Sequence, residues 1–176
     1  MKYFCRYASM IGEILLISDG KYLLGLEIEK NSDTALEEKE NLPLFQKVKK
    51  WLDTYFSGKE AAIDFPIKLI GTEFQKEVWE ILLKIPYGKV VTYGEIAHKI
   101  ALKRNISKMS SQAVGNAVHR NPIPIIAPCH RVIGKNHDLV GYGLGMDLKI
   151  RLLKLEGFSL EGYYFYEKEK RKYIDK

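Results

Sequence analysis

The chain has 176 residues, the length of one ordinary domain or of two small ones, and 46% of them are hydrophobic and 28% charged. This composition is typical of a soluble globular protein, and no apolar run reaches the roughly 20 residues that a membrane helix needs. The N-terminal residues lack the pattern of a signal peptide, so we expect a cytoplasmic protein without a membrane span. Two cysteines, Cys5 and Cys129, are too few for a disulfide framework, and we expect both to be free thiols.

The formal net charge of +6 is unevenly distributed along the chain. Residues 1–70 carry 10 basic and 11 acidic side chains, whereas residues 71–157 carry 13 basic and 7 acidic ones. An excess of positive charge attracts polyanions, so residues 71–157 are a candidate nucleic-acid-binding region. The alternative is a lysine-rich surface that only keeps the protein soluble.

Two apolar runs near the N-terminus, residues 12–18 and 22–28, are separated by a segment with strong turn chemistry. This pattern predicts a β-hairpin. The apolar residues from Leu44 to position 56 then follow the spacing of one helical face, and Gly58 ends the predicted helix. We therefore predict a small α/β domain over residues 1–70 and expect it to act as a scaffold.

Capped helices are predicted in the second half of the chain. Thr72 and Thr92 are each followed three residues later by the second member of a capping box, Gln75 and Glu95. Each box predicts the start of a helix, because its two side chains satisfy backbone donors that the first turn leaves unpaired.

A third helix is predicted to begin near Ser107, to end before Asn121 and to bury Val114, Ala117 and Val118. Together with the helix that precedes it, this suggests a helix-turn-helix, although many pairs of short helices share the pattern.

One more helix is predicted over residues 147–156, with Leu148, Leu152 and Leu155 as its apolar stripe and Gly157 as its stop. Residues 158–176 are aromatic and then charged, and we expect a charged, partly mobile tail there.

The segment of residues 121–132, Asn-Pro-Ile-Pro-Ile-Ile-Ala-Pro-Cys-His-Arg-Val, contains the candidate nucleophile. Its three prolines exclude a regular helix and stiffen the backbone that presents Cys129. A thiol with a pKa of about 8.5 is only slightly ionised at neutral pH, so it needs a neighbouring base or positive charge to react. His130 and Arg131 are adjacent in sequence. The alternative is a buried cysteine beside a structural histidine.

This segment resembles the O6-alkylguanine-DNA alkyltransferases, whose Pro-Cys-His-Arg-Val motif is intact at residues 128–132. The similarity covers residues 74–157 and includes Tyr-Gly-Lys-Val-Val-Thr-Tyr at 87–93, Ala-Val-Gly-Asn-Ala at 113–117, Asn-Pro at 121–122, Gly-Tyr-Gly at 141–143 and Leu-Leu-Lys-Leu-Glu-Gly at 152–157. In this family a small α/β domain of ribonuclease-H-like layout precedes a helical domain with a DNA-binding helix-turn-helix. The resemblance thus implies a two-part α/β (α+β) fold, with a scaffold over residues 1–70 and an alkyltransferase domain over residues 71–157.

The resemblance implies the chemistry of the site as well. Cys129 would accept the alkyl group, His130 would act as a base through a water molecule, and Glu156 would orient His130. Asn121 would brace the turn. Tyr93 would have two roles, since its hydroxyl would protonate the departing guanine and its ring would help to rotate the phosphate of the nucleotide. Arg131 is expected to pair with a carboxylate in a structural role.

The implied partner is double-stranded DNA that carries O6-alkylguanine, or O4-alkylthymine, with no cofactor, no metal and no obligate protein partner. Because the alkyl carbon is hidden inside a duplex, the nucleotide has to be extruded into a pocket. By family position, the pocket would be lined by Val118, by Pro124 and by the loop of residues 139–143, which includes Tyr142 and Gly143.

The second helix of the helix-turn-helix would lie in the minor groove, where the small residues Ser110, Ser111 and Ala113 permit a close approach. Gln112 stands where the family commonly has an arginine that intrudes into the base stack. Glutamine brings no charge, and the basic residues before this helix are candidates to supply the missing cation: Lys103, Arg104 and Lys108.

Two other classes of function stay open at this stage. An alkyltransferase-like protein would bind lesions without transferring the group, and the presence of Cys129 argues against it. A cysteine hydrolase would use Cys129 and His130 over many turnovers. The stoichiometry of the reaction separates the three.

Overall fold

The computed structural model describes residues 1–28 and 36–174. The chain divides into two compact units, one of Met1–Ile70 with Pro122–Pro124, and the other of Gly71–Asn121 with Ile125–Lys176. No helix in the described part of the chain combines the length and the apolar character needed to cross a membrane.

The first unit contains a four-stranded sheet in the order β3-β2-β1-β4. Its strands are β1 (Tyr3–Ser9), β2 (Gly12–Ser18), β3 (Leu23–Ile28) and β4 (Glu37–Glu38). The predicted hairpin is confirmed as β2 and β3, which pair in antiparallel orientation. The sequence did not predict β1, which pairs with β2 along its full length and with β4 in parallel.

Helix α1 (Pro43–Phe56) confirms the predicted helix of this unit. The residues that it buries are Leu44, Phe45, Val48, Trp51, Leu52 and Tyr55. The Trp51 and Tyr55 rings stack at 5.3 Å, and the Tyr7 hydroxyl of β1 donates to Asp53 of α1 at 2.7 Å. Cys5 lies fully buried in β1, where burial raises the pKa of its thiol to about 12. This thiol is therefore protonated and unreactive at neutral pH.

The second unit contains helices α2 (Glu73–Leu82), α3 (Tyr93–Arg104), α4 (Ser111–His119) and α5 (Met146–Leu155). Both predicted capping boxes are present, at Thr72 with Gln75 and at Thr92 with Glu95. Helix α4 begins at Ser111, four residues later than predicted, because the Ser110 side chain caps it by accepting the Ala113 N–H, one of the donors that the first turn leaves unpaired.

Two pairs of short strands complete this unit. Strands β5 (Val91–Thr92) and β6 (Val132–Ile133) pair in parallel, and β7 (Tyr164–Glu167) and β8 (Lys170–Tyr173) form an antiparallel hairpin. The hairpin lies within the segment that the sequence predicts to be a charged, partly mobile tail, and the sequence did not predict these two strands.

The apolar stripe of α5 also differs from the prediction. Leu148 and Leu155 are only partly buried, and the buried residues are Leu152, Leu153 and, unexpectedly, Lys149. The buried face of α5 therefore consists of Lys149, Leu152 and Leu153, which stand at positions i, i+3 and i+4 of the helix.

Candidate active site

Cys129 begins a single 3-10 turn, Cys129–Arg131, which leads directly into β6. The turn follows Pro128, and the backbone before it is fixed by the Cys129 N–H, which donates to Ala127 O at 2.8 Å. Asn121 braces the same carbonyl, since its Nδ2 donates to Ala127 O at 2.6 Å. Only 7% of Cys129 is exposed, so the thiol is presented on a rigid backbone inside the protein.

Glu156 joins the two residues that follow the cysteine. Its Oε1 lies 2.6 Å from His130 Nε2, and the Arg131 guanidinium donates to both carboxylate oxygens at 2.8 and 3.0 Å. The Gly88 N–H adds a fourth bond at 3.1 Å. His130 is fully buried and Glu156 almost so. The arrangement fixes the ring orientation of His130 and pairs Arg131 with a carboxylate, as expected from the sequence.

The charges of this cluster follow from burial and pairing. Burial by itself would raise the pKa of Glu156, but the bonds to His130 and Arg131 outweigh it and hold that pKa at about 2. Burial lowers the pKa of His130 below its usual value, against the opposing effect of Glu156. At neutral pH the carboxylate is therefore charged and the imidazole is neutral, which leaves the imidazole able to accept a proton.

The thiol is held mainly in its protonated form. Burial raises the pKa of Cys129, while Asn121, Tyr142 and Lys149 act in the opposite direction by favouring the thiolate. The Tyr142 hydroxyl lies 3.7 Å from the Cys129 Sγ. A base that removes the proton during the reaction is needed more here than at an exposed cysteine.

Sequence reasoning missed Lys149. Its side chain is fully buried, and Nζ donates to Val132 O and Leu139 O, each at 2.6 Å. Burial lowers its pKa to about 8, so the group is largely charged at neutral pH and stabilises a nearby thiolate. The available signal was its spacing, since Lys149 precedes the buried Leu152 and Leu153 by three and four residues.

Tyr93 lies beside this centre at the start of α3. Burial raises the pKa of its hydroxyl to about 12, and the proximity of Cys129 contributes. A Cβ on Gly115 of α4 would lie 3.8 Å from the Tyr93 ring, so the tyrosine packs on α4 at a position without a side chain. The hydroxyl keeps its proton at neutral pH and is able to donate it.

Helix α4 presents its first turn to solvent. Ser110, Ser111 and Gln112 are exposed and Ala113 is partly buried, whereas Val114, Ala117 and Val118 face the core, as predicted. The helix is anchored from behind by Trp79, whose Nε1 donates to Ala117 O at 2.8 Å. Ser110 has a further role that the sequence did not indicate, because its hydroxyl caps the helix.

The three basic residues expected to compensate for Gln112 differ in their contacts. Arg104 and Lys103 both pair with Glu77 of α2, at 2.9 and 3.6 Å. Lys108 is exposed in the loop before α4. Of the three candidates, Arg104 and Lys103 are therefore engaged within the protein.

The remaining predicted pocket residues lie on different parts of the chain. Val118 is buried on α4, and Gly143 follows Tyr142 at a point where a Cβ would come within 2.9 Å of His119 Nδ1. Pro124 belongs to Pro122–Pro124, which groups with the first unit. The pocket roles of Val118, Pro124 and Gly143 stay predictions.

Comparison with known proteins places the whole arrangement in a family. Residues 73–158 match the model of the 6-O-methylguanine DNA methyltransferase DNA binding domain, and residues 2–69 match that of the ribonuclease-like domain of the same proteins. The chain belongs to the 6-O-methylguanine DNA methyltransferase family. The two-part fold expected from the sequence is confirmed.

Several relatives of this methyltransferase family are similar over most of their length. A methylated-DNA--protein-cysteine methyltransferase of Methanosarcina acetivorans is 44% identical over 158 residues, which cover 88% of this chain and 98% of the relative. One of Haemophilus influenzae is 39% identical and is covered to 86%. Among solved structures, Mycobacterium tuberculosis OGT in complex with DNA matches with a TM-score of 0.77 and 39% identity, over 88% of this chain and 92% of that one.

Proposed function

We propose that this protein repairs double-stranded DNA by transferring an alkyl group from O6-alkylguanine, or O4-alkylthymine, to Cys129, once per molecule. The observation that carries the proposal is a buried cysteine on a rigid turn whose next two residues share one buried carboxylate. Membership of the methyltransferase family supports the same reaction.

The geometry supports a direct displacement. Sγ of Cys129 attacks the alkyl carbon, so that an S–C bond forms while the bond between that carbon and O6 breaks. The electron pair of the broken bond moves to O6, and the Tyr93 hydroxyl supplies the proton that the departing guanine takes up. The thiol proton passes to the neutral His130 through a water molecule, and the charged Glu156 stabilises the imidazolium that forms.

In the proposed mechanism Lys149 and Tyr142 act on the thiol, whereas Glu156 acts on His130. Lys149 favours the thiolate by its positive charge, and Tyr142 favours it by its hydroxyl, at 3.7 Å from Sγ. Glu156 acts on His130 instead of on the thiol. The reaction consumes the acceptor, since a thioether is a poor leaving group and nothing in the proposed scheme regenerates the thiol.

The DNA-binding side of the proposal rests on α4 and on charge. The exposed first turn of α4 contains no acidic residue, and the partial positive charge of a helix N-terminus favours phosphate. Residues 71–157 carry the net charge of +6. We place the protein in the cytoplasm, because a reducing compartment keeps Cys129 available as a thiol.

The stoichiometry and site of transfer test the proposal. The protein is incubated with duplex DNA containing O6-methylguanine and then digested, and the peptides are weighed by mass spectrometry. We expect one methyl group per protein, on the peptide that contains Cys129. Cys129→Ser should take up none, whereas the matched control Cys5→Ser should take up a full equivalent, because Cys5 is buried in the other unit.

The same experiment separates the alternatives. A cysteine hydrolase would release product over many turnovers, and a protein that only binds lesions would show affinity without any methylated peptide. Either result would refute the transfer to Cys129.

A further inference from the structure

We propose that the β7–β8 hairpin is a positioning element of the transfer site, acting through Leu139 on the loop of residues 139–143. The hairpin lies beyond residues 73–158, the part of the second unit that matches the family model. The inference rests on the proposed function only in taking Cys129 as the acceptor.

Backbone hydrogen bonds attach the hairpin to the segment before the loop. The Leu139 N–H donates to Tyr164 O at 2.8 Å, and the Tyr164 N–H donates to His137 O at 3.1 Å. The His137 ring stacks on Tyr163 at 4.7 Å between centroids. Asp138 thus forms an isolated parallel β-bridge with Tyr164 at the start of β7.

Leu139 is also held by apolar packing. Leu139 is fully buried in a cluster with Ile133, Leu153 and Leu160. The partly buried residues that pack on this cluster from the hairpin and its approach are Phe158, Tyr163, Phe165 and Ile174. The hairpin therefore encloses Leu139 by side chains as well as by backbone.

Leu139 is in turn connected to the reacting thiol. Its carbonyl accepts from Lys149 Nζ, which also binds the carbonyl of Val132, the residue directly after the Cys129–Arg131 turn. Three residues beyond Leu139, the Tyr142 hydroxyl faces Sγ at 3.7 Å. Leu139 thus joins the hairpin on its N–H side to the two groups, Lys149 and Tyr142, that favour the thiolate.

The loop does not hold this shape by its own preference. Val140 has a φ of 56°, a left-handed conformation that is strongly disfavoured for a β-branched residue. Such a conformation persists only where the surroundings impose it. Here the Val140 N–H donates to the Asp138 carboxylate at 2.9 Å, and its neighbour Leu139 is fixed on both sides. Loss of the hairpin contact should let the loop relax and move Tyr142 away from Sγ.

Tyr164→Pro tests the connection at one bond. It removes the N–H that binds His137 O, and proline is tolerated at the first residue of a strand. Tyr166→Pro is the matched control. The N–H groups of a strand point alternately to its two edges, so the N–H of the exposed Tyr166 points to the same edge of β7 as that of Tyr164. The loop does not lie beside Tyr166. Both variants are made in a Cys5→Ser background, which leaves Cys129 as the single thiol.

Two readouts distinguish positioning from general stability. The first is single-turnover transfer from free O6-benzylguanine, which needs no DNA, measured well below the melting temperature of each variant. The second is the pH profile of Cys129 alkylation by iodoacetamide, which reports how well Lys149, Tyr142, Asn121 and Tyr93 set the charge of the thiol.

We expect Tyr164→Pro to slow transfer about fivefold, the effect of one lost hydrogen bond, and to shift the alkylation profile to higher pH. Tyr166→Pro should match the parent in both readouts. An unchanged Tyr164→Pro, or equal losses in the two variants, would overturn the proposal. A parent protein that alkylates normally with iodoacetamide but transfers nothing would instead refute Cys129 as the acceptor.

Hydrogen exchange on the unaltered protein gives a test that needs no variant. The amides of Leu139, Tyr164 and Ile174 each donate in the hydrogen bonds that join or close the hairpin. If the hairpin holds the loop, these three amides should exchange through one common opening. A Leu139 amide that stays protected while Tyr164 and Ile174 exchange freely would contradict the proposal.

Discussion

Glu156 serves two buried partners at once, and its replacement should therefore affect stability as well as reaction. The carboxylate accepts from Arg131 and contacts His130, and all three side chains are almost entirely buried. Removing one partner of a buried ion pair leaves the other charge uncompensated, which costs several kcal/mol.

We expect Glu156→Gln to lower the free energy of unfolding by about 3 kcal/mol and to slow transfer. Urea denaturation measures the first effect and single-turnover kinetics the second. The matched control is Glu73→Gln, which breaks an exposed pair with Lys76 and should leave the free energy of unfolding nearly unchanged. Equal losses in the two variants would show that the buried cluster is not special.

The same carboxylate predicts a pH dependence. Its folded pKa of about 2 lies below the value of about 4.3 expected in the unfolded chain, so its contribution is complete above that higher value. The contribution is lost as the pH falls from about 4 towards 2. The stability difference between the parent and Glu156→Gln should shrink over this interval, and a constant difference would contradict the pairing.

Gln112 is the candidate site residue that differs from what the resemblance implies. Its side chain is exposed on the first turn of α4, at the position where the resemblance implies an arginine. An arginine there would add attraction to phosphates and stacking on base faces.

We expect Gln112→Arg to raise the affinity for duplex DNA and to leave transfer at saturating DNA nearly unchanged. Gln112→Ala should weaken capture of the extruded base by about 1 kcal/mol, one ordinary hydrogen bond. Single-turnover transfer at a series of protein concentrations measures both. Free O6-benzylguanine is the control, and equal losses of Gln112→Ala on free base and duplex would assign Gln112 to the pocket.

At the scale of elements, the start of α4 depends on one hydroxyl. Ser110 accepts the Ala113 N–H, and the first turn has no acidic side chain to assist it. We expect Ser110→Ala to lower the free energy of unfolding by about 1 kcal/mol, as is usual for the loss of a cap. The neighbouring Ser111→Ala lies inside the helix and should change stability little. Urea denaturation of both variants decides whether Ser110 is the cap.

The elements that the sequence predicted have local signals. The capping boxes of α2 and α3 each depend on residues three apart, and both are present. The start of α4 was misplaced because Ser107 and Ser110 are both suitable caps, and only the packing of the helix selects between them.

The elements that escaped prediction depend on distant contacts or on unusual turns. Lysine is almost never fully buried, and Lys149 is accepted in the core only because the carbonyls of Val132 and Leu139 meet there. The turn between β7 and β8 consists of Lys168 and Glu169, both at positive φ. Turns of this kind usually contain Asn-Gly, and because that pattern is absent here, no local signal predicted the hairpin.

The candidate site, like the fold, was predicted only in part. The resemblance implied the contact between His130 and Glu156, which the structure contains. Arg131 was expected to pair with a carboxylate, and the sequence did not indicate that this carboxylate is also Glu156. The resemblance did not indicate the capping role of Ser110 or the ion pairs that engage Lys103 and Arg104. These depend on which side chains the fold happens to bring within reach.

At the scale of the whole molecule, the charge asymmetry predicts how binding responds to salt. The net charge of +6 lies in residues 71–157, and DNA releases condensed counterions when lysine and arginine bind its phosphates. We expect the affinity for undamaged duplex to fall steadily as the salt concentration rises, with a linear dependence between the logarithms of the two. Fluorescence anisotropy measures it, and an affinity independent of salt would refute binding dominated by the phosphate backbone.

The grouping of Pro122–Pro124 with the first unit has a consequence for how this protein can be divided. The outer edge of β3 is covered at Leu23 by residues 66–68, and at Leu26 by Pro122, whose carbonyl accepts the Leu26 N–H at 2.9 Å. A fragment that ends at Ile70 would keep residues 66–68 but would lack the Pro122 acceptor, which leaves the Leu26 N–H unpaired on a strand edge, the kind of surface on which chains pair with one another. Such a fragment is therefore expected to self-associate, and a soluble, monomeric N-terminal unit would need residues 122–124 grafted back against β3.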